Sequence, residues 1–136
     1  MTRESEASAS ADADADADAV RVGWVRDGSL ITSEQLGEAF GQSCDALELA
    51  RERNELFRLK VSKLWFYPGV FTRFSPHDVH RINRALKGDD DVGKFIFWHR
   101  RHGGLGARDV SQALREGMLD RVLELALGWS EERGLS

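Results

Sequence analysis

The chain has 136 residues, 41% of them apolar and 31% charged, with a formal net charge of −4 and a single cysteine, Cys44. That length suits one compact domain or two small subdomains sharing a core, and a lone cysteine excludes an internal disulfide framework. No apolar run reaches about 18 residues, which excludes a transmembrane helix, and the polar, acidic start lacks a signal peptide's apolar stretch, so a reducing, cytoplasmic setting is expected.

Residues 1–19, MTRESEASASADADADADA, alternate Ala with Asp and hold six acids against one Arg. Nothing there can bury enough apolar surface to offset chain entropy, so a disordered leader is expected. It is either a solvated tail or an acidic mimic of nucleic acid that screens a basic surface. The acidity is confined to it: residues 20–74 carry eight basic and seven acidic side chains, and residues 75–136 ten of each. Net charge is therefore no objection to nucleic-acid binding, and no argument for it.

The alternation of Val20, Val22 and Trp24 predicts a short strand over Val20–Val25, closed by a turn at Asp27-Gly28. Thr32 and Gln35 have the spacing of a capping box, so a helix should start at Ser33. Leu36 and Phe40 form its inner face, with Gly37 and Ala39 supplying the small residues a close helix crossing needs. Gly41 permits a left-handed turn, Ser43 caps a second helix from Cys44 to about Arg53, and Leu47 and Ala50 face inward. A short hairpin follows, with Phe57, Leu59 and Val61 on one side, Arg58, Lys60 and Ser62 on the other, and its turn near Ser62-Lys63.

Ser75-Pro76-His77-Asp78 is the clearest helix start: a serine cap, proline in the first turn, and an acid at the positive end of the dipole. Val79, Ile82 and Leu86 make its buried stripe and Gly88 ends it. Asp89-Asp90-Asp91 opens the next helix, on which Val92, Phe95, Ile96 and His99 share a face and Phe97 and Trp98 widen the apolar zone, until Gly103-Gly104 stops it. A short helix over Ala107–Glu116 carries Val110, Ala113 and Leu114. The last helix, from Met118 to about Glu132, repeats apolar residues at Leu119, Val122, Leu123, Ala126 and Trp129. The expected fold is mainly α with a small β wing: leader (1–19), winged helix-turn-helix (20–74) and a compact four-helix unit (75–136).

Two resemblances sharpen this. Residues 32–68, with Leu36-Gly37-Glu38-Ala39-Phe40-Gly41-Gln42-Ser43, then Arg53-Asn54-Glu55-Leu56, then Pro68, resemble the excisionase and MerR-type winged helix-turn-helix. Asn54 stands where glycine is usual, and asparagine is the next most tolerant residue in the left-handed conformation. The segment from Phe97 to Gly134 resembles the C-terminal domain of the Xre/MbcA/ParS antitoxin family: a Trp in a helix, the loop Leu105-Gly106-Ala107-Arg108-Asp109-Val110, then Gly117 before the final helix. Ala107 replaces a loop glycine of that pattern, and Asp109-Val110 replaces Thr-Pro. The second resemblance implies an antitoxin that neutralises a cognate toxin, often a RES-type NAD-consuming enzyme, and represses its own operon.

The expected DNA-contacting residues are Gln42, Ser43, Asp45 and Arg51 on the second helix, with Arg53, Arg58, Lys60 and Lys63 around the wing for phosphates. Glu48, Glu52 and Glu55 would repel a backbone carrying one charge per ~1.7 Å of duplex, so a winged fold kept only as a scaffold is the rival. For a toxin, the expected contacts are Trp98, Arg100, Arg101, Leu105, Arg108 and Trp129, with the tryptophans otherwise ordinary core residues. The pairs His77/His80 and His99/His102 sit three apart, where two imidazoles could clip a metal, but capping, hydrogen-bonding or surface roles are favoured and no metal or cofactor is expected. Cys44 has no base assigned to it, and no phosphate loop, dinucleotide fingerprint or serine elbow occurs, so an enzyme is not expected. The partners expected are a cognate toxin, operator DNA and a second copy of the chain, since half-sites pair with two-fold symmetry. A stand-alone transcription or excisionase-like factor, and an interaction module that binds no DNA, are the alternatives.

Overall fold

The computed structural model describes residues 18–134. The leader expected over residues 1–19 therefore lies outside the described residues, except for its last two, which are helical. Residues 18–26 form helix α1, where the alternation of Val20, Val22 and Trp24 suggested a strand. The positions that tuck inward are Asp18, Arg21, Val22 and Val25, an i, i+3, i+4, i+7 set, with Trp24 beside them. That helical period outweighs the period-2 alternation, because the Trp24 ring packs on Phe95 at 4.7 Å and gives α1 a tertiary partner.

Strand β1 (Leu30–Ile31) follows the Asp27-Gly28 turn, then helices α2 (Ser33–Phe40) and α3 (Cys44–Glu52), and the hairpin β2 (Leu59–Val61) and β3 (Leu64–Pro68). The sheet order is β1-β3-β2, antiparallel throughout, with Leu30 opposite Pro68 and Lys60 opposite Trp65. Helix, strand, two helices and a returning hairpin make a winged helix-turn-helix. Local chemistry fixes its joints. The Thr32 hydroxyl accepts from the Gln35 N–H while the Gln35 side chain accepts from the Thr32 N–H, the reciprocal capping box. Gly41 has φ +67°, and a Cβ on Gly37 would lie 2.6 Å from the Gln42 carbonyl oxygen, so α2 and α3 meet closely at Gly37. Ala39 is exposed and takes no part in that crossing.

The second half comprises a 3₁₀ turn (Gly69–Arg73), α4 (Pro76–Ala85), α5 (Asp91–His99), a 3₁₀ turn (Gly103–Leu105), α6 (Val110–Arg115) and α7 (Leu119–Gly134). Ser75, Asp90 and Asp109 cap α4, α5 and α6 through their side-chain oxygens. Helix α4 stops at Leu86, ahead of Gly88, whose N–H instead meets the Ser130 hydroxyl at 2.9 Å. Helix α5 stops at His99, four residues before Gly103, and α6 begins after Ala107, which adopts φ +64° and cannot start a helix.

The face expected on α5 is split. Phe95, Phe97 and Trp98 are buried, whereas Val92 and Ile96 are 39% and 43% exposed. Phe97 and Trp98 face the other helices because Trp98 is held from inside: its indole N–H donates to Asn83 Oδ1 at 2.9 Å, and Asn83 Nδ2 donates to the Glu55 carbonyl at 3.0 Å. That chain of bonds joins α5 to α4 and to the segment leading into β2. Phe57, Phe71 and Trp98 stack edge to face across the same seam, with centroids 5.3 and 5.2 Å apart. A single buried cluster runs from Leu30 to Ala126, so the core crosses the boundary expected at residues 74/75.

His80 on α4 packs edge-on against Phe40 and is half-buried. Burial, with the nearby positive charges of Arg84 and His77, holds its imidazole below the usual 6.5, against the opposing pull of Glu55. The unfolded chain then binds the proton more readily, so this stability is present above about pH 6.5 and is lost as pH falls through the folded value. In His80→Gln, the fall in unfolding free energy between about pH 7 and pH 5 is expected to be shallower than in the parent chain by denaturant titration; an equal fall would remove His80 as the cause.

Candidate nucleic-acid and partner surfaces

The wing is a tight hairpin. Ser62 and Lys63 both adopt left-handed backbone, φ +48° and +72°, the requirement of a two-residue turn matched to strand twist. Alternation along β2 buries Leu59 and Val61 and turns Lys60 outward. On β3, Leu64 and Trp65 are 63% and 46% exposed, a pair of apolar side chains that were not expected to contribute here. The Arg58 guanidinium lies 4.4 Å from the Trp65 ring centroid and the Lys60 ammonium 5.7 Å, so the wing presents an aromatic plate flanked by cations. Such a plate suits stacking and phosphate contact.

The expected contacts on α3 fare differently. Glu48 is clamped by Arg51 and by Arg58, the latter at 3.1 Å. The hydrogen bond from Arg51 holds the Glu48 carboxyl below the usual carboxylate range. Two of the cations expected to reach phosphate are thus partly neutralised within the molecule. Asp45, Glu52 and Arg53 are exposed, Gln42 is half-buried, and the Ser43 hydroxyl is occupied in capping Ala46 N–H at 3.1 Å. Leu49, 45% exposed, adds an apolar spot to the same helix. Of the cations expected to meet phosphate, Arg53, Lys60 and Lys63 are exposed.

The second surface surrounds the loop between α5 and α6. His102 anchors it: the ring is buried, bonds the Phe97 carbonyl through Nε2 at 2.8 Å, and stacks near Phe97 and Trp129. Its backbone pairs with Arg108 in an isolated antiparallel bridge, and Gly106 and Ala107 both turn left-handed to close the loop. The position where a glycine would have been expected is therefore a left-handed alanine. Arg108 is tied back to Glu116 at 2.6 Å and to the Leu105 carbonyl at 3.1 Å.

Of the expected partner contacts, Trp98 and Leu105 are 1% and 0% exposed and belong to the core, held there by the Asn83 bond and the loop's inward turn. Trp129 is half-buried, with its N–H on Asp89 at 2.8 Å and the Arg100 guanidinium 5.9 Å from its ring. Arg100 and Arg101 are both exposed. This exposed corner thus carries two arginines and one aromatic edge.

His99 Nδ1 bonds the Phe95 carbonyl at 2.8 Å, so both rings of the His99/His102 pair are engaged with backbone oxygens. Among the described residues no group of three or more His, Cys, Asp or Glu converges as a metal site, and no helix is long and apolar enough to cross a membrane. Cys44 is exposed, with its thiol 3.8 Å from the Ser33 hydroxyl.

The fold and both surfaces describe a winged helix-turn-helix built into a common core with a helical unit. Comparison of the chain with protein-family models, with curated proteins and with solved structures finds no significant match.

Proposed function

We propose that the chain is the antitoxin of a toxin–antitoxin pair, binding a cognate toxin through its helical half and operator DNA through its wing. The observation that carries this is the union, in one core, of a cation-flanked aromatic wing with a pinned loop next to which Arg100 lies 5.9 Å from the Trp129 ring and Arg101 is exposed. Such a corner fits an acidic partner surface, since arginine and tryptophan are enriched among the residues that anchor interfaces. The resemblance of the Leu105–Val110 loop to the antitoxin family suggests a RES-type NAD-consuming enzyme as the toxin; this chain would then act by binding, not catalysis.

Co-expression with the product of the neighbouring gene is the test. That product should arrest growth alone, and the present chain should relieve the arrest and co-purify with it. Arg100→Glu with Arg101→Glu should abolish relief while leaving thermal unfolding unchanged, because both side chains are exposed. A neighbour without toxicity, or relief that survives the double reversal, counts against this assignment of the corner. The second reading, a winged regulator without a toxin, is favoured by the wing itself and predicts duplex binding with no partner protein at all.

A further inference from the structure

A cavity of about 400 Å³ opens where the two halves of the fold meet. Its walls are the Asp27-Gly28 turn before β1, the 3₁₀ turn Gly69–Arg73, the end of α5 and the start of α6. Glycine permits the close approach on one side. The Gly69 N–H donates to the Ser29 carbonyl at 2.8 Å, and a Cβ on Gly69 would collide with the Gly28 carbonyl oxygen. The volume falls within the range of small-molecule sites, about 300–1,000 Å³, which favour junctions of this kind.

The polar groups around the cavity have bonding capacity left over. Ser111 on α6 is the clearest case: the residue is 6% exposed, and its buried hydroxyl has no hydrogen-bond partner. An orphaned hydroxyl costs stability, and a ligand at the cavity wall would satisfy it. Two carboxylates share the cavity. Asp27 accepts the Ser29 N–H at 2.9 Å and Asp109 the Gln112 N–H at 2.7 Å, each through one oxygen, which leaves the other. Hydrogen bonds from Ser29 hold the Asp27 carboxyl below the usual carboxylate range, so it is charged at neutral pH. His99 adds an acceptor. Its Nδ1 faces the Phe95 carbonyl at 2.8 Å and so carries the proton, leaving Nε2 bare in the neutral ring. Arg73 supplies the opposite charge: it is exposed, and among the described residues no ion pair joins it to either carboxylate.

Two carboxylates and one guanidinium complement a molecule with two cationic groups and one carboxylate. An inorganic anion would meet the two acids, and an apolar molecule would leave Ser111 unpaired. We propose that this cavity binds a basic α-amino acid of the arginine or lysine class, its cationic groups on Asp27 and Asp109, its carboxylate on Arg73, and the Ser111 hydroxyl bonded to it. Asp27 and Arg73 belong to the winged half and Asp109 and Ser111 to the helical half, so the ligand ties the two together. The site stands whether or not the chain neutralises a toxin or reads DNA.

Titration of the full chain with L-arginine and with L-lysine, followed by amide chemical shifts, tests the site. With at least one of them, the amides of Gly28, Ser29, Arg73 and Ser111 should shift saturably at millimolar ligand, and the thermal midpoint should rise with its concentration. If L-arginine is the tighter, agmatine (no carboxylate) and L-norvaline (no side-chain cation) should each bind about tenfold or more weakly, the loss expected for one charged hydrogen bond. Asp27→Asn and Asp109→Asn keep the backbone caps, because asparagine accepts the same N–H bonds, and each should weaken the amino acid by about tenfold. Arg73→Gln should weaken it equally while leaving agmatine unchanged. Ser111→Ala should weaken it several-fold, with the free chain melting no lower than the parent, since the hydroxyl has no partner to lose. Absence of saturable shifts with both amino acids, or shifts that survive all three charge substitutions, overturns the proposal. Agmatine binding as tightly as L-arginine reduces the site to a cation site and overturns the amino-acid assignment. A lowered midpoint for free Ser111→Ala shows the hydroxyl already bonded and removes it from the site.

Discussion

Trp98→Ala is expected to destabilise the protein by about 3–5 kcal/mol, a large part of the roughly 5–15 kcal/mol that holds a domain of this size together. The indole is 1% exposed and lies between Phe71 and Asn83. Truncation leaves a cavity on one side and an unpaired Asn83 oxygen on the other. The milder Trp98→Phe keeps most of the volume but loses the N–H donor, and should cost about 1–3 kcal/mol. Denaturant unfolding measures both. Hydrogen exchange adds the sharper criterion: amides in α3 and in α5 should lose protection together, because Asn83 links the Glu55 carbonyl to Trp98 across the two halves. A change of less than about 0.5 kcal/mol, typical of a surface site, would return Trp98 to the partner interface. Loss of protection in the helical half alone would show two separable units.

Lys60→Ala with Lys63→Ala should weaken duplex binding steeply and flatten its salt dependence. If each lysine neutralises one phosphate, the slope of log affinity against log salt becomes shallower by about 1.8. Neither side chain has its charge spent on an acid within the wing, in contrast to Arg58, which shares Glu48 with Arg51. Glu48→Gln gives the opposite sign: it frees two guanidinium groups and should tighten binding. An unchanged slope in the lysine variant would move the nucleic-acid surface away from the wing. Tightening by Glu48→Gln without any effect of the lysines would place it on α3.

What was legible in the sequence was local. Thr32 with Gln35, Ser43, and Ser75 with Pro76 satisfy helix ends within three residues, and those helices begin where the spacing required. The wing turn was legible for the same reason, since alternation on either side leaves only Ser62 and Lys63 for the reversal. What escaped depended on distant partners. Val20, Val22 and Trp24 alternate as a strand would, and only the Phe95 ring makes them a helix. Helix α5 is apolar on nearly every side, so its sequence could not tell whether Ile96 or Phe97 faced inward; Asn83, fifteen residues before its partner Trp98, decides it. The candidate sites suffered likewise. The Glu48 clamp on Arg58 spans a turn and a change from helix to strand, and nothing in the spacing of His99 and His102 showed that the second ring is the buried peg of its loop.

The seam at Phe57, Phe71 and Trp98 bears on how such a protein can diversify. Domains joined by a linker can be exchanged by recombination, each arriving with a finished interior. Here a crossover at residue 74 would hand the helical half a stranger's aromatic surface and leave Asn83 without the Glu55 carbonyl. A transplanted winged half would have to arrive already shaped to both. Under the function proposed above, change of operator and change of partner would proceed by substitution on the two outer surfaces, at the wing tip and at the arginine corner, while the joint between them is inherited whole.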